Sequence, residues 1–237
     1  MTDDSIRAAR AAGRSSLDEH AGKRLLSQFG IAVPSSVMVA PDEPAASKIA
    51  GLRAPFVVKV MSPDILHKSD AGGVRVRLRD AAEVEATIRA MRENPAIARA
   101  RLDGFLVEEM APPGEELVVG GLRDPQFGPL VMVGLGGIFV EVMKDVAFRI
   151  CPIERIDAIE MLSELKAAAL LDGVRGRAPV SREALVDVLL RVGGTDGLLM
   201  RFQDEIAEAD LNPVIVSPSG AVAVDARFIL TQRGVPA

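Results

Sequence analysis

A polar loop between two apolar runs carries residue types suited to phosphate chemistry. The segment reads VVKVMSPDILHKSDAGGVRVRL, and its polar and glycine residues include His67, Lys68, Ser69, Gly72 and Gly73. A neutral imidazole nitrogen is a competent nucleophile toward phosphorus. Glycines allow positive φ angles, so backbone N–H groups can approach an anion closely. Taken alone, a loop histidine is more often a solvated surface side chain.

A lysine, Lys59, interrupts the apolar run that precedes this loop. Alternation along PFVVKVM puts Val57, Lys59 and Met61 on one face of a strand. A lysine between two apolar residues is seldom buried without a partner. Lys59 could contact a phosphate as a point charge. The alternative is an exposed sheet face, on which the lysine keeps its charge in water.

The last two strands predict a second polar cluster. If SPSG, residues 217–220, is a four-residue hairpin loop, Asn212 faces Asp225 and Asp210 faces Arg227. Facing side chains lie about 5 Å apart at Cβ. Amide and carboxylate oxygens placed side by side suit Mg²⁺, which uses one or two protein groups. The alternative is an Asn–Asp hydrogen bond beside a surface ion pair, and a bulge would change the register.

The segment LVEEMAPPGEEL is a candidate for binding a base and its sugar. A strand that runs into the prolines at 112–113 would leave free backbone groups near Glu109 and Met110. Adenine needs a backbone donor, an acceptor and apolar walls, which such a segment can provide. Glu116 could accept hydrogen bonds from ribose hydroxyls. The alternative is a plain turn with solvated acids.

Composition excludes several classes of protein. The formal net charge is −5, and neither Trp nor Tyr occurs, which argues against nucleic-acid binding on a basic or stacking surface. Cys151 is the single cysteine, so we expect a buried apolar residue rather than a disulfide or a cysteine metal cluster. No apolar run has the length of a signal peptide or a membrane helix, so we predict a cytoplasmic protein.

The elements that must position these residues follow from periodicity. Helices are predicted for 17–29, with Gly30 as the cap, and for the segments AAEVEATIRAMREN, IERIDAIEMLSEL and REALVDVLLRVG. Strand follows strand after residue 104. We therefore predict an α+β fold with an N-terminal segment at 1–16 and two lobes, 17–104 and 105–237. No Walker A motif occurs, and GLGGIF lacks the third glycine of a dinucleotide site, so we predict a flexible loop there.

Several of these segments together resemble one family, the ATP-grasp beta subunits of ADP-forming acyl-CoA synthetases, which are relatives of succinyl-CoA synthetase. The resemblance extends from about Leu17 to Leu230. The segments that carry it most specifically are HKSDAGGV and GPLVMVGLGGIFVEVMKDVAFR, with LVEEM, EADLNPVIV and VDAR in support. It implies an ATP-grasp fold, in which two α+β lobes hold a nucleotide between them.

The resemblance also implies an activity and a role for each matching residue. Such enzymes interconvert acyl-CoA, ADP and phosphate with carboxylic acid, CoA and ATP. The alpha component would form the acyl phosphate and carry a first phosphohistidine, and His67 would be the second carrier that relays the phosphoryl group to ADP. Mg²⁺ would be held by Asn212 and Asp225. Contacts to ATP or ADP would come from Lys59, Lys68, Ser69, Gly72, Gly73, Glu108, Met110 and Glu116.

The chain contains no recognisable CoA-binding domain after the last ATP-grasp strand. We therefore expect a separately encoded, CoA-binding alpha subunit and a hetero-oligomer. Two alternatives remain at this point: another ATP-grasp carboxylate ligase, or a non-catalytic nucleotide-binding regulatory subunit.

Overall fold

The structure is a computed structural model that describes residues 3–65, 67–136, 144–173 and 178–232. It contains the helices α1 Asp4–Ala11, α2 Glu19–Gln28, α3 Ala45–Lys48, α4 Ala81–Glu93, α5 Pro95–Ala98, α6 Arg155–Glu164, α7 Arg182–Gly193 and α8 Leu198–Arg201, with 3₁₀ turns at Ile49–Gly51 and Ala168–Asp172. The strands are β1 Ser16–Leu17, β2 Ser36–Val39, β3 Phe56–Met61, β4 Val74–Leu78, β5 Gly104–Glu109, β6 Glu115–Asp124, β7 Gly128–Leu135, β8 Val146–Ile150, β9 Ile206–Ser217, β10 Gly220–Ala223 and β11 Arg227–Leu230.

These elements form two sheets and two compact units. One sheet has the strand order β1-β11-β9-β6-β7-β8, with β10 also paired to β9, and the other has the order β2-β5-β3-β4. The larger unit joins residues up to Val33 with those from Pro112 onward, and the smaller unit is Pro34–Ala111. Mixed helices and sheets confirm the predicted α+β fold class. None of the described helices is long and apolar enough to cross a membrane.

The units divide the chain differently from the predicted boundaries at 16 and 104. β1 pairs with β11, Leu17 opposite Phe228, so the N-terminal residues belong to the larger unit. β5 pairs with β2 and β3 and therefore belongs to the smaller unit. The predicted N-terminal segment, 1–16, also includes helix α1, whose Ile6 is fully buried.

Local signals explain where α2 begins and ends. Asp18 accepts a hydrogen bond from the Ala21 N–H at 2.8 Å and caps the helix N-terminus. Gly30, at φ +72°, follows the helix in the left-handed conformation typical of a glycine C-cap. Leu25 and Leu26 are fully buried, so the helix packs its apolar stripe on the larger sheet's core.

The smaller unit packs one face of its sheet against a helix. Phe56, Val58 and Val60 of β3 share a buried cluster with residues of α4, such as Val84 and Ile88. Alternation then places Lys59 on the opposite face, as the sequence predicted. The buried residues of that face include Val57, Met61, Leu106 and Glu108.

Two sequence predictions need correction or lie beyond the description. GVRVRL was expected to be a regular alternating strand, but the β3–β4 register shifts, and Arg77 has a φ of +64°. Most of β4 is exposed as a result, because an irregular strand at the end of the described strand order has little to pack against. In the predicted flexible loop GLGGIF, Gly134 and Leu135 instead belong to β7, and residues 137–139 lie outside the described residues. The end of the strand expected to follow it forms β8, Val146–Ile150.

Candidate functional site

The predicted site residues fall into two groups, one in each unit. The smaller unit holds Lys59, His67, Lys68, Ser69, Gly72, Gly73, Glu108 and Met110, and the larger unit holds Glu116, Asn212 and Asp225. The structure defines the geometry within each group.

Lys59 forms a buried ion pair with Glu108. The Lys59 Nζ lies 3.0 Å from the Glu108 Oε2, and the two side chains are 9% and 2% exposed. Val57 faces Glu108 across β3 and β5, so Lys59 reaches it diagonally. This burial excludes the alternative of a solvated lysine on an exposed sheet face. Lys59 is therefore a cation that Glu108 holds in place on the face of the sheet opposite α4.

The neighbouring acid, Glu109, has a different partner. Arg53 donates to it from its backbone N–H at 3.0 Å and from its guanidinium at 3.2 Å. The hydrogen bond from the Arg53 guanidinium holds the pKa of Glu109 below its usual value, with help from the backbone bond. Glu108 and Glu109 point to opposite sides of β5, so one is buried with a lysine and the other is paired near the surface.

The backbone donors predicted to be free near Met110 are engaged. The N–H of Glu109 donates to the Ser35 carbonyl, and the N–H of Met110 donates to the Pro55 carbonyl, both at 2.9 Å. The expectation of free donors at these two residues was therefore wrong. The pairing of β5 with its neighbours continues beyond the strand ends, and sequence inspection could not show that.

The loop that carries His67 forms a compact turn. His67, Ser69 and Asp70 are exposed, Lys68 and Gly72 are partly buried, and Gly73 is buried. The Gly73 carbonyl accepts from the Val60 N–H at 2.8 Å. A Cβ at Gly73 would lie 2.3 Å from the Val60 Cγ1, so the backbone approaches β3 at a distance that only glycine permits. His67 is thus presented to solvent from a closely packed base.

The terminal hairpin has the predicted register, but its loop is shorter than the predicted four residues because Gly220 pairs with Ser217. Ala221 faces Val216 in the β9–β10 pair, and Arg227 faces Asp210 in the β9–β11 pair. Asn212 and Asp225 occupy the corresponding positions between the two paired stretches. The Val224 N–H donates to the carbonyl of Pro213 at 3.0 Å, which keeps this register through the gap.

Carboxylates crowd around this position. Burial raises the pKa of Asp210, the nearby charges of Asp225 and Glu208 raise it further, and Arg227 opposes them. The amide oxygen of Asn212 and the carboxylate oxygens of Asp225 have the donor chemistry of a Mg²⁺ site. Asn212 is exposed and Asp225 partly so. Within the described ranges, no three His, Cys, Asp or Glu side chains form a metal-binding group.

Glu116 lies on β6 of the same sheet. It faces Ile215 of β9 and is exposed, so its carboxylate is accessible. The structure therefore pairs Lys59 with Glu108 and groups the residues of the His67 turn, and it gives Asn212 and Asp225 corresponding register positions in one hairpin.

Two structural features of the site were missed by sequence reasoning. One is the Lys59–Glu108 pair, because nothing local shows that β3 and β5 are neighbours. The other is Asn94, whose side chain bonds to the His67 turn at Ala71. An Asn–Pro step after a helical segment signals a cap, but it does not indicate a contact with a loop so distant in the sequence.

Comparisons with known proteins show the family of the chain. A family model of the ATP-grasp domain matches residues 8–230. The chain is 44% identical to the beta subunit of acetate–CoA ligase [ADP-forming] I of Pyrococcus furiosus, covering 95% of this chain and 96% of that one. It is 41% identical to acetate–CoA ligase [ADP-forming] I of Archaeoglobus fulgidus, but there it spans 30% of the longer chain.

Solved structures support the same family. An acetyl-coenzyme A synthetase 1 of Ca. Korarchaeum cryptofilum, in complex with coenzyme A and Ca-AMPCP, superposes with a TM-score of 0.90 at 46% identity, covering 95% of this chain and 98% of that one. Another structure of that protein is described as having a phosphorylated phosphohistidine segment, with a TM-score of 0.87, 44% identity and coverage of 96% and 99%. These matches confirm the resemblance found in the sequence. The chain belongs to the ATP-grasp domain family and, within it, to the group that contains the beta subunits of ADP-forming acetate–CoA ligases.

Proposed function

We propose that this chain is the nucleotide-binding, phosphoryl-transferring beta subunit of an ADP-forming acyl-CoA synthetase. The observation that carries the proposal is its identity of 44% with a named beta subunit along nearly the full length of both chains. The enzyme would convert acyl-CoA, ADP and phosphate into carboxylic acid, CoA and ATP, and the reverse. The separate subunit of the relative supports a CoA-binding alpha partner for this chain.

His67 is the proposed phosphate carrier. The sequence contains two histidines, and the other, His20, lies within α2 with its Nδ1 buried and without a hydrogen-bond partner among the described residues. His67 is exposed on a turn rich in glycine. A carrier must reach a donor and an acceptor in different places, and His67 is the histidine whose surroundings allow it. The phosphohistidine segment named in the related structure supports this assignment.

The proposed nucleotide contacts follow from the charges and backbone groups of the two units. Lys59 would bind the phosphates as a cation held in place by Glu108. The turn would add Lys68, Ser69, Gly72 and Gly73 as backbone or side-chain donors.

The adenosine contacts would come from Glu108, Met110 and Glu116. The N–H of Met110 already donates to Pro55, so its contribution would come from its carbonyl oxygen or its side chain. Glu108 would also keep Lys59 in place through their ion pair.

Asn212 and Asp225 would hold Mg²⁺. Their position suits a cation. Burial and the nearby charges of Asp225 and Glu208 raise the pKa of Asp210, and a bound cation would offset the repulsion between these carboxylates. A bound Mg²⁺ would neutralise charge on the nucleotide phosphates. The chain's own contribution is to place an amide and a carboxylate oxygen at one register position of the hairpin.

The proposed phosphoryl transfer takes place in two displacements at phosphorus. In the first, an imidazole nitrogen of His67 attacks the phosphorus of a phosphohistidine formed on the partner, and the P–N bond to the partner's imidazole breaks. In the second, a β-phosphate oxygen of ADP attacks the same phosphorus, the P–N bond breaks, and the neutral imidazole is restored. Lys59 and Lys68 would offset the charge on the phosphoryl group, since such transfers depend mainly on positioning and charge neutralisation.

The test measures ATP formation by the reconstituted complex. The chain is mixed with its alpha partner, acyl-CoA, ADP and phosphate, and His67→Asn is compared with His20→Asn as a matched control. We expect His67→Asn to lose ATP formation while its ADP affinity stays within about twofold, because an exposed loop residue contributes little to the fold. Normal ATP formation by His67→Asn would overturn the proposed relay.

A further inference from the structure

The turn that carries His67 is organised by backbone hydrogen bonds of its own. The N–H of Ala71 donates to the His67 carbonyl at 3.2 Å, and the N–H of Gly73 donates to the Lys68 carbonyl at 2.7 Å. The N–H of Gly72 donates to the Ser69 carbonyl at 3.0 Å. The backbone of His67 is therefore directly bonded to Ala71.

A side chain from outside the loop holds Ala71. The Asn94 Nδ2 donates to the Ala71 carbonyl at 3.0 Å, while the Asn94 Oδ1 accepts from the Ala96 N–H at 3.0 Å and caps α5. Both ends of the Asn94 amide are thus used. Gly72 lies against it: at φ +70°, a Cβ there would lie 3.1 Å from the Nδ2. The side-chain amide of Asn94 therefore connects the start of α5 to the His67 turn through Ala71.

A residue close to α5 also holds the other end of the loop. The Asp64 Oδ2 accepts from the Arg101 N–H at 2.8 Å, and Arg101 lies shortly after α5. Ile65 packs against the core of the smaller unit. The residues that flank α5 therefore hold the loop on both sides of His67, while His67 itself remains exposed.

We propose that Asn94 is a positioning residue for His67, acting through the Ala71 carbonyl. This inference rests on the proposed function of His67 as carrier and adds the group that fixes the turn from which the imidazole reaches. A cap on α5 needs only an oxygen acceptor, which Asp or Ser supplies as well as Asn. The Nδ2 donor is not needed for the cap, so it can be removed while the cap is kept.

Three substitutions separate the two roles of Asn94. Asn94→Asp and Asn94→Ser keep the cap acceptor and remove the donor to Ala71, since an ionised Asp has no donor and Ser is too short to serve both partners. Asn94→Ala removes both. Asp80→Ala is the matched control, because Asp80 caps α4 of the same unit by accepting from the Glu83 N–H at 2.9 Å.

The first measurement is amide hydrogen exchange of the peptide that covers 67–73, which requires no activity. We expect exchange about five- to tenfold faster in Asn94→Asp, Asn94→Ser and Asn94→Ala, the effect of losing one net hydrogen bond. Asp80→Ala should exchange at the wild-type rate in this peptide. Exchange at the wild-type rate in Asn94→Asp and Asn94→Ser would overturn the proposal.

The second measurement is the single-turnover phosphorylation of His67 by Mg²⁺-ATP, together with the ATP affinity. We expect about a five- to tenfold slower rate in the three Asn94 variants, with ATP affinity within about twofold of wild type. Equal slowing in Asp80→Ala would show a merely structural effect and refute a positioning role. If wild-type His67 takes no phosphate, the proposed function fails, and the exchange measurement alone decides whether Asn94 holds the turn.

Discussion

Removing one partner of the buried Lys59–Glu108 pair should cost more stability than removing both. Lys59→Met leaves the Glu108 carboxylate buried without its cation, and Glu108→Leu leaves the lysine buried without its anion. The double variant places two apolar side chains on a face that already carries buried apolar residues such as Met61 and Leu106.

The expected magnitude follows from the distance between the charged atoms. At 3.0 Å and an effective dielectric constant of about 20, the attraction is about 5.5 kcal/mol. The desolvation of two ions offsets much of it, so the pair contributes little net stability. Each single substitution leaves one buried charge uncompensated and should lower the free energy of unfolding by about 3–5 kcal/mol. The double substitution should change it by about 1 kcal/mol or less, in either direction.

The assay is a double-mutant cycle by urea unfolding of the wild type, the two single variants and the double variant. We expect a coupling energy of at least about 5 kcal/mol, which is the sum of the two single effects less that of the double variant. Additive effects of the two substitutions would contradict a desolvated pair. Since the double variant should fold, its ADP affinity then tests the proposed phosphate contact: undiminished affinity would refute a role for Lys59 in nucleotide binding.

Three further predictions concern the hairpin, the cysteine and the turn. Asn212→Ala and Asp225→Ala should each weaken Mg²⁺-dependent ADP binding by at least about tenfold in calorimetry, with Mg²⁺-free binding unchanged; equal affinity with Mg²⁺ would refute the metal site. Burial raises the pKa of Cys151 from 9.0 to about 12, so the thiol should resist iodoacetamide at pH 8 until the protein unfolds. Because the unfolded thiol ionises first, this group should lower stability as pH rises from 9.0 to about 12, a loss that Cys151→Ala should lack. Gly73→Ala should destabilise the protein by about 1–3 kcal/mol through contact with Val60, and the same substitution should cost less in a Val60→Ala background. A neutral Gly73→Ala in urea unfolding would contradict the close approach.

The features that could be predicted from the sequence depend on local signals. The hairpin register followed from the position of the turn, which fixes every facing pair although the loop itself is shorter than predicted. Helix α2 followed from its apolar spacing and the glycine after it. The faces of β3 followed from alternation, since Val58 and Lys59 must point to opposite sides of the sheet.

The features that could not be predicted depend on contacts between distant segments. The pairing of β1 with β11 brings residues 16–17 beside 228–229, and no local pattern in a two-residue strand shows this. The Lys59–Glu108 ion pair requires β3 and β5 to be neighbours. In β4, regular alternation suggested a half-buried strand, but the register shift beside β3 left it exposed.

The central claim is that His67 carries the phosphoryl group, and direct detection of phosphohistidine tests it best. The wild-type chain is incubated with Mg²⁺ and γ-labelled ATP, and the label is mapped by digestion and mass spectrometry under alkaline conditions. We predict acid-labile, base-stable phosphate on His67, its loss on addition of ADP, and the same label in His20→Asn. Label on another residue, or undiminished label in His67→Asn, would contradict the account.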